Sequence, residues 1–381
     1  MWAKINVEQI PSRLTPGISI LALGVDTRQR VSWTQGHKIY SLSPKKDFSD
    51  TKEFYFQAAR FLKQKFCLRP DVITFDPHPN FVCKKEADNI RGDYFSKASL
   101  TPVFHHIAHA ANFGIEVSPK KRFIALTFDG TGFGQDGNVW GGEFFVYQDK
   151  QFERRAHFEY QVLPGSEAAI REPWRIALGI LSKIHPKDIR GMKFKFLKGL
   201  SGQNVSMVSQ MIEKGFNAPL TSSVGRLFDA VCAILGLKTV VTKEAEAAVL
   251  LEKVAAKYKL QAQSYCVDIK QKNGVFVIGS TPIFKEIVRG LALNEPVEKI
   301  AYRFHVTLAN IVRKTCLKLR AKTGISDIYF SGGVFMNNIL VDEVKKAFKT
   351  DDMGLFFAKR PQTTDLGISQ GQIAAYCMEK H

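Results

Sequence analysis

Nowhere in this sequence do about 18 apolar residues run together, the length that a membrane-crossing helix needs. The most apolar stretch, Phe228 to Val241, is interrupted by Asp229 and Lys238. The opening MWAKINVEQIPSR lacks the charged start, apolar middle and small-residue cleavage site of a secretory signal, so a cytoplasmic protein without a membrane partner is expected. The cysteines, at 67, 83, 232, 266, 316 and 377, include no CxxC pair, which excludes a zinc ribbon and a thioredoxin-like redox site. Most have apolar neighbours, as Cys232 does in DAVCAIL, and read as small core residues in a reducing compartment. Walker A and HExxH patterns are missing too, and the glycines of 130–137 are not read as a dinucleotide-binding fingerprint.

What is present begins with charge. Against 36 acidic residues stand 54 Lys and Arg, for a formal net charge of +18. Such a field attracts polyanions, though it also serves simply to keep a chain soluble. The densest basic stretch, Lys187 to Lys198 (KDIRGMKFKFLK), alternates Lys193, Phe194, Lys195 and Phe196. That pattern suits a nucleic-acid face, but more often marks a half-buried element with one solvated side. A nucleic-acid partner is therefore not favoured, although the charge leaves it open. Hydrophobic residues make up 45% and charged residues 24% of 381, an ordinary globular composition with length enough for a core that needs no staple.

Hydrophobic patterning predicts strands at 18–25, 30–34 and 38–42, a helix over 51–66 and a strand at 72–75. A helix from about Thr101 to Phe113 follows, with Pro102 near its start. A similar order then begins again: strands at 123–128, 142–148 and 152–160, a mostly helical stretch from about Pro164 to Lys259, and strands at 275–279, 325–330 and 355–358 among further helices. Two successive β-β-β-α-β-like units suggest a duplicated α/β fold with a cleft between its halves. No composition shift marks a linker.

Four places could carry chemistry. His105 and His109, in HHIAH, are four apart, so on a helix they share a face and can grip a transition metal, or merely decorate an amphipathic helix. The run DGTGFGQDG, 129–137, sets an aspartate at a buried strand's end before glycines that expose backbone N–H groups, which suits a phosphate or a plain hairpin turn. SGGVFMNN, 331–338, joins a strand to a helix and lets backbone approach an anion. Asp365 stands at the expected start of the last helix, where an N-cap is the simplest role.

Taken in order, HHIAH, FDGTGFGQDGNVWGGEFF, LPGSEAAIREPWRIALG, PLTSSVGRLFDAV, EAEAAVLLE and SGGVFMNN resemble the carbamoyltransferase region of the HypF family of hydrogenase maturation proteins. LALGVDTRQRVSWTQGHKIYSLS and FDPHP are similar to the start of that region, so the resemblance runs from about residue 16 to the end. It implies a duplicated actin-like, ribonuclease-H-type fold of two lobes around a nucleotide cleft. The implied division is an N-terminal lead over 1–15, a first lobe over 16–118 and a second over 119–381, with a helical insertion at about 164–262. It implies transfer of a carbamoyl group from carbamoyl-adenylate, most simply to the C-terminal cysteine of HypE. Carried over by position, His105, His109, Asp129 and Asp365 match a metal-binding set for iron or zinc, and His106 would lie near substrate. Gly130, Thr131, Gly132, Asp229, Glu244, Gly332, Gly333 and Asn337 would hold ATP or the adenylate, with Asp229 at the ribose. Arg171, Glu172 and Arg175, in IREPWR, would line the cleft, the two arginines as catalytic groups.

The sequence also departs from the family. Ala245 and Glu246 replace a usual glycine and glutamine beside the adenosine, and Met336, Asn338 and Leu366 replace Gln, Arg and Gly. The acylphosphatase, zinc-finger and YrdC-like parts that precede the region in the full-length protein are not in this sequence. A separate YrdC-domain protein is therefore expected to supply the adenylate. The rival readings are a small-molecule O-carbamoyltransferase and a non-catalytic nucleotide-binding or tRNA-modifying relative.

Overall fold

The β-branched and aromatic runs of the sequence lie in the middle of two sheets, covered on both faces, which is why they are so uniformly buried. A computed structural model describes residues 5–10, 17–46, 48–116, 121–184, 194–358 and 363–380. The first sheet contains β1 (Ile5–Ile10), β2 (Ile20–Ala22), β3 (Val31–Gln35), β4 (Lys38–Pro44), β5 (Val72–Phe75) and β6 (Ser99–Pro102), in the order β1-β4-β3-β2-β5-β6. The second contains β7 (Phe123–Phe133), β8 (Val139–Gln148), β9 (Gln151–Phe158), β10 (Gln161–Val162), β11 (Leu220–Thr221), β12 (Asp268–Lys272), β13 (Val275–Gly279), β14 (Asp327–Ser331) and β15 (Gly354–Phe357).

The path β4-β3-β2-β5-β6 is repeated as β9-β8-β7-β14-β15. In both, three strands run as an antiparallel meander and two more are added parallel to the first of them. The fold is thus α/β and internally duplicated, of the actin-like, ribonuclease-H type. Beyond the repeat, β1 flanks β4 and the β12–β13 hairpin flanks β9. Between β10 and β12 the chain is mostly helical, including Pro173–Ile184, Gly202–Lys214, Val224–Ile234 and Glu246–Ala255. No helix among the described residues is long and apolar enough to cross a membrane.

Some details differ from expectation. Residues 5–10, read as a lead, form a strand, because Val7 and Ile10 extend the antiparallel pairing of β4. The helix expected from Thr101 begins at His105 instead. Pro102 holds its predecessor extended, so 99–102 pair with β5. The helix Val82–Tyr94 escaped notice because only Cys83, Ala87 and Ile90 of its thirteen residues are buried. In the basic stretch, Phe194 and Phe196 pack into the core of the second half rather than facing outward, while 187–193 lie outside the described residues.

The two halves are interlocked by their last helices. His105–Ala111 follows the first sheet but, with Val103 before it, Ile107 within it and Phe113 after it, joins Phe123, Phe145 and Tyr147 of the second in one core. Ile368–Lys380 follows the second sheet but binds the first: Gly24 N–H donates to Gln372 Oε1 at 2.9 Å, and the Ser32 and Ser369 hydroxyls lie 2.8 Å apart. The helices meet backbone to backbone, since a Cβ on Gly371 would stand 2.1 Å from the carbonyl oxygen of Ala108. A Gly371→Ala substitution should force them apart and cost about 1–3 kcal/mol. An unfolding midpoint equal to that of the unaltered protein in denaturant titration would contradict this packing.

Candidate active site

His105 is the first residue of its helix and His109 lies one turn on, so both imidazoles leave the same face toward the second sheet. Asp129 stands within β7, where the pairing with β8 shifts register between Phe128 and Gly132. Asp365 opens a short 3-10 turn, Asp365–Gly367, just before the last helix. His105 Nε2 is 3.4 Å from Asp129 Oδ2 and 3.5 Å from Asp365 Oδ1, and His109 Nε2 is 3.6 Å from each. The ligand atoms of all four fall within 4.8 Å of one another.

This arrangement fits a metal ion. Both Nε2 atoms are buried with no hydrogen-bond partner. Four donors bound at ~2.1 Å around a tetrahedral ion stand about 3.4 Å apart, close to the spacings seen. The outward-facing atoms of three ligands are held. His105 Nδ1 is 3.2 Å from Asp76 Oδ2, Asp129 Oδ1 accepts the Gly333 N–H at 3.1 Å, and Asp365 Oδ2 accepts the Thr27 hydroxyl at 2.9 Å. Such outer contacts orient ligands and fix the histidine tautomer. Burial opposes charge on His105, but the carboxylates of Asp129, Asp365 and Asp76 outweigh it and hold its pKa well above 6.5. Burial likewise pushes Asp129 up, and the two histidines outweigh it, leaving the carboxyl well below 3.8.

His106 turns away from the cluster. It is wholly buried, its nitrogens make no hydrogen bond, and its Nε2 is 3.9 Å from Glu143 Oε2. Burial, with His105 beside it, holds its pKa well below 6.5. Glu143 accepts the N–H groups of Gly141 and Gly142, each at 2.6 Å, and burial pushes its carboxyl up to about 7.

The glycines serve close approach more than an open turn. A Cβ on Gly132 would lie 2.4 Å from His106 Cε1 and 2.6 Å from His105 Cδ2. Gly332, at φ +98°, would carry its Cβ to within 2.2 Å of the Phe128 carbonyl oxygen. Gly130 packs under the start of the helix Val224–Ile234, whose cap, Ser223, donates to the carbonyls of Asp129 and Gly130 at 2.7 and 2.6 Å. Thr131 lies between these two glycines in β7. Asp229 is buried on the same helix, 3.0 Å from Arg226, and burial pushes its carboxyl up to about 6. Glu244 is exposed and pairs with Arg28, from the other half of the repeat. Arg175 pairs with Glu172 at 2.5 Å, and the exposed Arg171 gives its carbonyl to the Val241 N–H. No hydrogen bond or ion pair among the described residues joins either arginine to the four-ligand cluster.

Sequence reasoning missed Asp76, Thr27, Arg28, Glu143 and Arg226. Two left a signal: Asp76 ends a buried strand as Asp129 ends FIALTF, and Glu143 is a lone charge within WGGEFFVY.

Residues 15–116 match the family described as the HypF Kae1-like domain, and residues 125–372 match the carbamoyltransferase Kae1-like domain, second subdomain. The chain belongs to the HypF carbamoyltransferase family. A probable carbamoyltransferase HypF of Methanocaldococcus jannaschii is 32% identical over 81% of this chain and 39% of its own length. A carbamoyltransferase HypF homolog of Cupriavidus necator is 30% identical over 79% of this chain and 76% of its own. The crystal structure of full-length HypF in a phosphate- and nucleotide-bound form superposes with a TM-score of 0.85 at 27% identity, covering 97% of this chain and 57% of that one. The chain spans less than half the length of the first curated relatives it matches.

Ala245, at a position where the resemblance expects glycine, has a left-handed backbone, φ +55°, at the start of the helix Glu246–Ala255. Holding a side chain there costs about 1 kcal/mol. Glu246 is engaged by Lys238 and by the Thr242 N–H at 2.8 Å. Asn337 caps the helix Asn338–Ala347, its Oδ1 accepting the Leu340 N–H at 2.9 Å while its Nδ2 lies 2.9 Å from His305 Nε2. That contact, with His305 Nδ1 facing the Ala301 carbonyl at 2.8 Å, requires a neutral ring.

Burial lowers the pKa of His305 from 6.5 to about 4. The unfolded chain therefore takes up a proton that the folded one refuses as pH falls from 6.5 toward 4. Stability should fall over that window, this ring contributing on the order of 3 kcal/mol. Urea titrations across the window should show a shallower pH dependence for His305→Gln. Parallel pH profiles would refute it.

Proposed function

We propose that this chain transfers a carbamoyl group from carbamoyl-adenylate to a cysteine thiolate, that of the C-terminal residue of HypE, in making the cyanide ligand of nickel–iron hydrogenase. The single observation that carries the reading is the His105, His109, Asp129 and Asp365 cluster, buried where the two repeats meet and braced by Asp76, Thr27 and Gly333. Nitrogen and carboxylate donors in this number suit iron or zinc. Such an ion, when bound, supplies Lewis acidity toward a carbonyl or phosphoryl oxygen.

The chain's own residues do the rest. Asp229, buried on the helix Val224–Ile234, accepts hydrogen bonds from the ribose hydroxyls. His106 and Glu143 form a buried wall beside the cluster, which excludes water from a labile mixed anhydride. The acceptor thiolate is itself the nucleophile, so no cysteine of this chain has to attack. Burial pushes the thiols of Cys83, Cys232, Cys316 and Cys377 up, which suits inert core residues. The phosphate- and nucleotide-bound relative supports binding of ATP or an adenylate in the cleft. A YrdC-domain protein, acting separately, makes the adenylate, and the +18 charge favours an acidic docking partner with salt-sensitive steering.

Elemental analysis should find one transition-metal ion per chain, reduced to background in His109→Ala. Equal, substoichiometric metal in both proteins would sink the assignment. In solution, the chain with carbamoyl phosphate, an acylphosphatase to release carbamate, ATP, metal and HypE should carbamoylate HypE only when a YrdC-domain protein is added. Efficient transfer by the chain alone would disprove the need for that partner, and no transfer with it would disprove the acceptor.

A further inference from the structure

Arg226 sits in the first turn of the helix Val224–Ile234, with its side chain only 9% exposed. A guanidinium offers five N–H donors in a planar fork. Here Nη2 reaches Asp229 Oδ2 at 3.0 Å, while Nε and Nη1 are buried without any partner. Buried charged donors left unpaired are strongly unfavourable, so a site that keeps them is shaped for something that accepts.

The place of the fork narrows what that is. Arg226 and Asp229 are three apart and share one helix face. A Cβ on Gly130 would come within 3.6 Å of Arg226 Nη2, so the guanidinium reaches from Asp229 to the backbone next to Asp129. Ser223 locks this spacing: its hydroxyl accepts the Arg226 N–H at 3.1 Å and binds the carbonyls of Asp129 and Gly130. On the function proposed above, ribose lies at one end of that span and the metal ligands at the other. The group joining them in an adenylate is the phosphoryl group, an anion whose paired oxygens match a guanidinium fork. The helix N-terminus adds favourable field for negative charge.

We propose that Arg226 binds the phosphoryl group of the adenylate, bridging the ribose site at Asp229 and the metal ligand Asp129. Asp229 takes one N–H of Nη2, and the second N–H of Nη2 forms a fork with an adjacent unpaired donor, Nε or Nη1, toward the phosphoryl oxygens. The assignment rests on the nucleotide reading of the cleft, so the test separates the two.

Calorimetry on the metal-loaded protein would compare AMP, adenosine and inorganic phosphate. Arg226→Met should weaken AMP by about 10- to 100-fold while adenosine changes less than twofold. Because that variant strands Asp229, Arg226→Lys is measured beside it: charge is retained and the fork lost, and AMP should still weaken at least about fivefold. Unchanged AMP affinity in the Lys variant, or an equal loss of adenosine affinity, would overturn the role of Arg226. Failure of the unaltered protein to bind either AMP or adenosine would overturn the nucleotide reading and this assignment with it. Phosphate binding as tightly as AMP would show an anion site unconnected to the ribose, which also overturns it.

Discussion

The contact of Gly371 with the backbone of Ala108 sets the geometry on which the site depends. His105 begins one of the touching helices and Asp365 stands just ahead of the other. With no side chain between them, neither helix can slide or rotate without a backbone clash. The two histidines therefore arrive at a fixed depth opposite Asp365, although they belong to opposite halves of the chain. Each helix is in turn anchored to the sheet of the other repeat, by Gln372 on Gly24 and by Ile107 among the aromatics of β7 and β8. Movement of one half against the other would be felt first at the ligands.

The outer contacts distribute the ligand set over both sheets. Asp76 follows β5 and Thr27 follows β2, both in the first half, while Gly333 follows β14 in the second. All three lie beyond the carboxyl ends of neighbouring strands, where open α/β sheets place their ligands. The duplicated topology thus divides one site between its halves: one repeat gives histidines and a brace for Asp365, the other gives carboxylates and a brace for Asp129. Neither half carries a complete ligand set.

Most of the strands were legible because β-branched and aromatic runs bounded by turn residues carry their own signal. Val82–Tyr94 was not, because a helix that buries three residues leaves almost no period, and Ser99–Pro102 was hidden by a proline with two readings. At the site, the four-residue spacing of His105 and His109 was visible at once. Asp129 and Asp365 joined them only through family likeness, since nothing local tells which aspartate a fold brings to a histidine. Thr27 and Asp365 are separated by 338 positions, and no periodicity spans that distance. The glycines also meet a packing demand that their spacing does not reveal. Gly132 has no room for a side chain because two histidine rings lie on it, and Gly333 gives its N–H to Asp129.

Two of the departures from the HypF pattern, Ala245 and Glu246, fall where the resemblance places the adenosine. Ala245 holds a left-handed backbone that glycine would adopt without strain, and it does so at the start of the helix Glu246–Ala255. Glu246 has its carboxylate taken up by Lys238 and the 242–243 backbone, and Glu244 by Arg28. An adenine approaching here would meet two engaged carboxylates instead of a free amide. At the other end, His105, His109, Asp129 and Asp365 stand together, three of them held by Asp76, Gly333 and Thr27. On the function proposed above, an adenylate would be fixed less at its base than at its phosphoryl and metal ends, where Asp129, Asp365 and Arg226 would set position through charge and depth of burial.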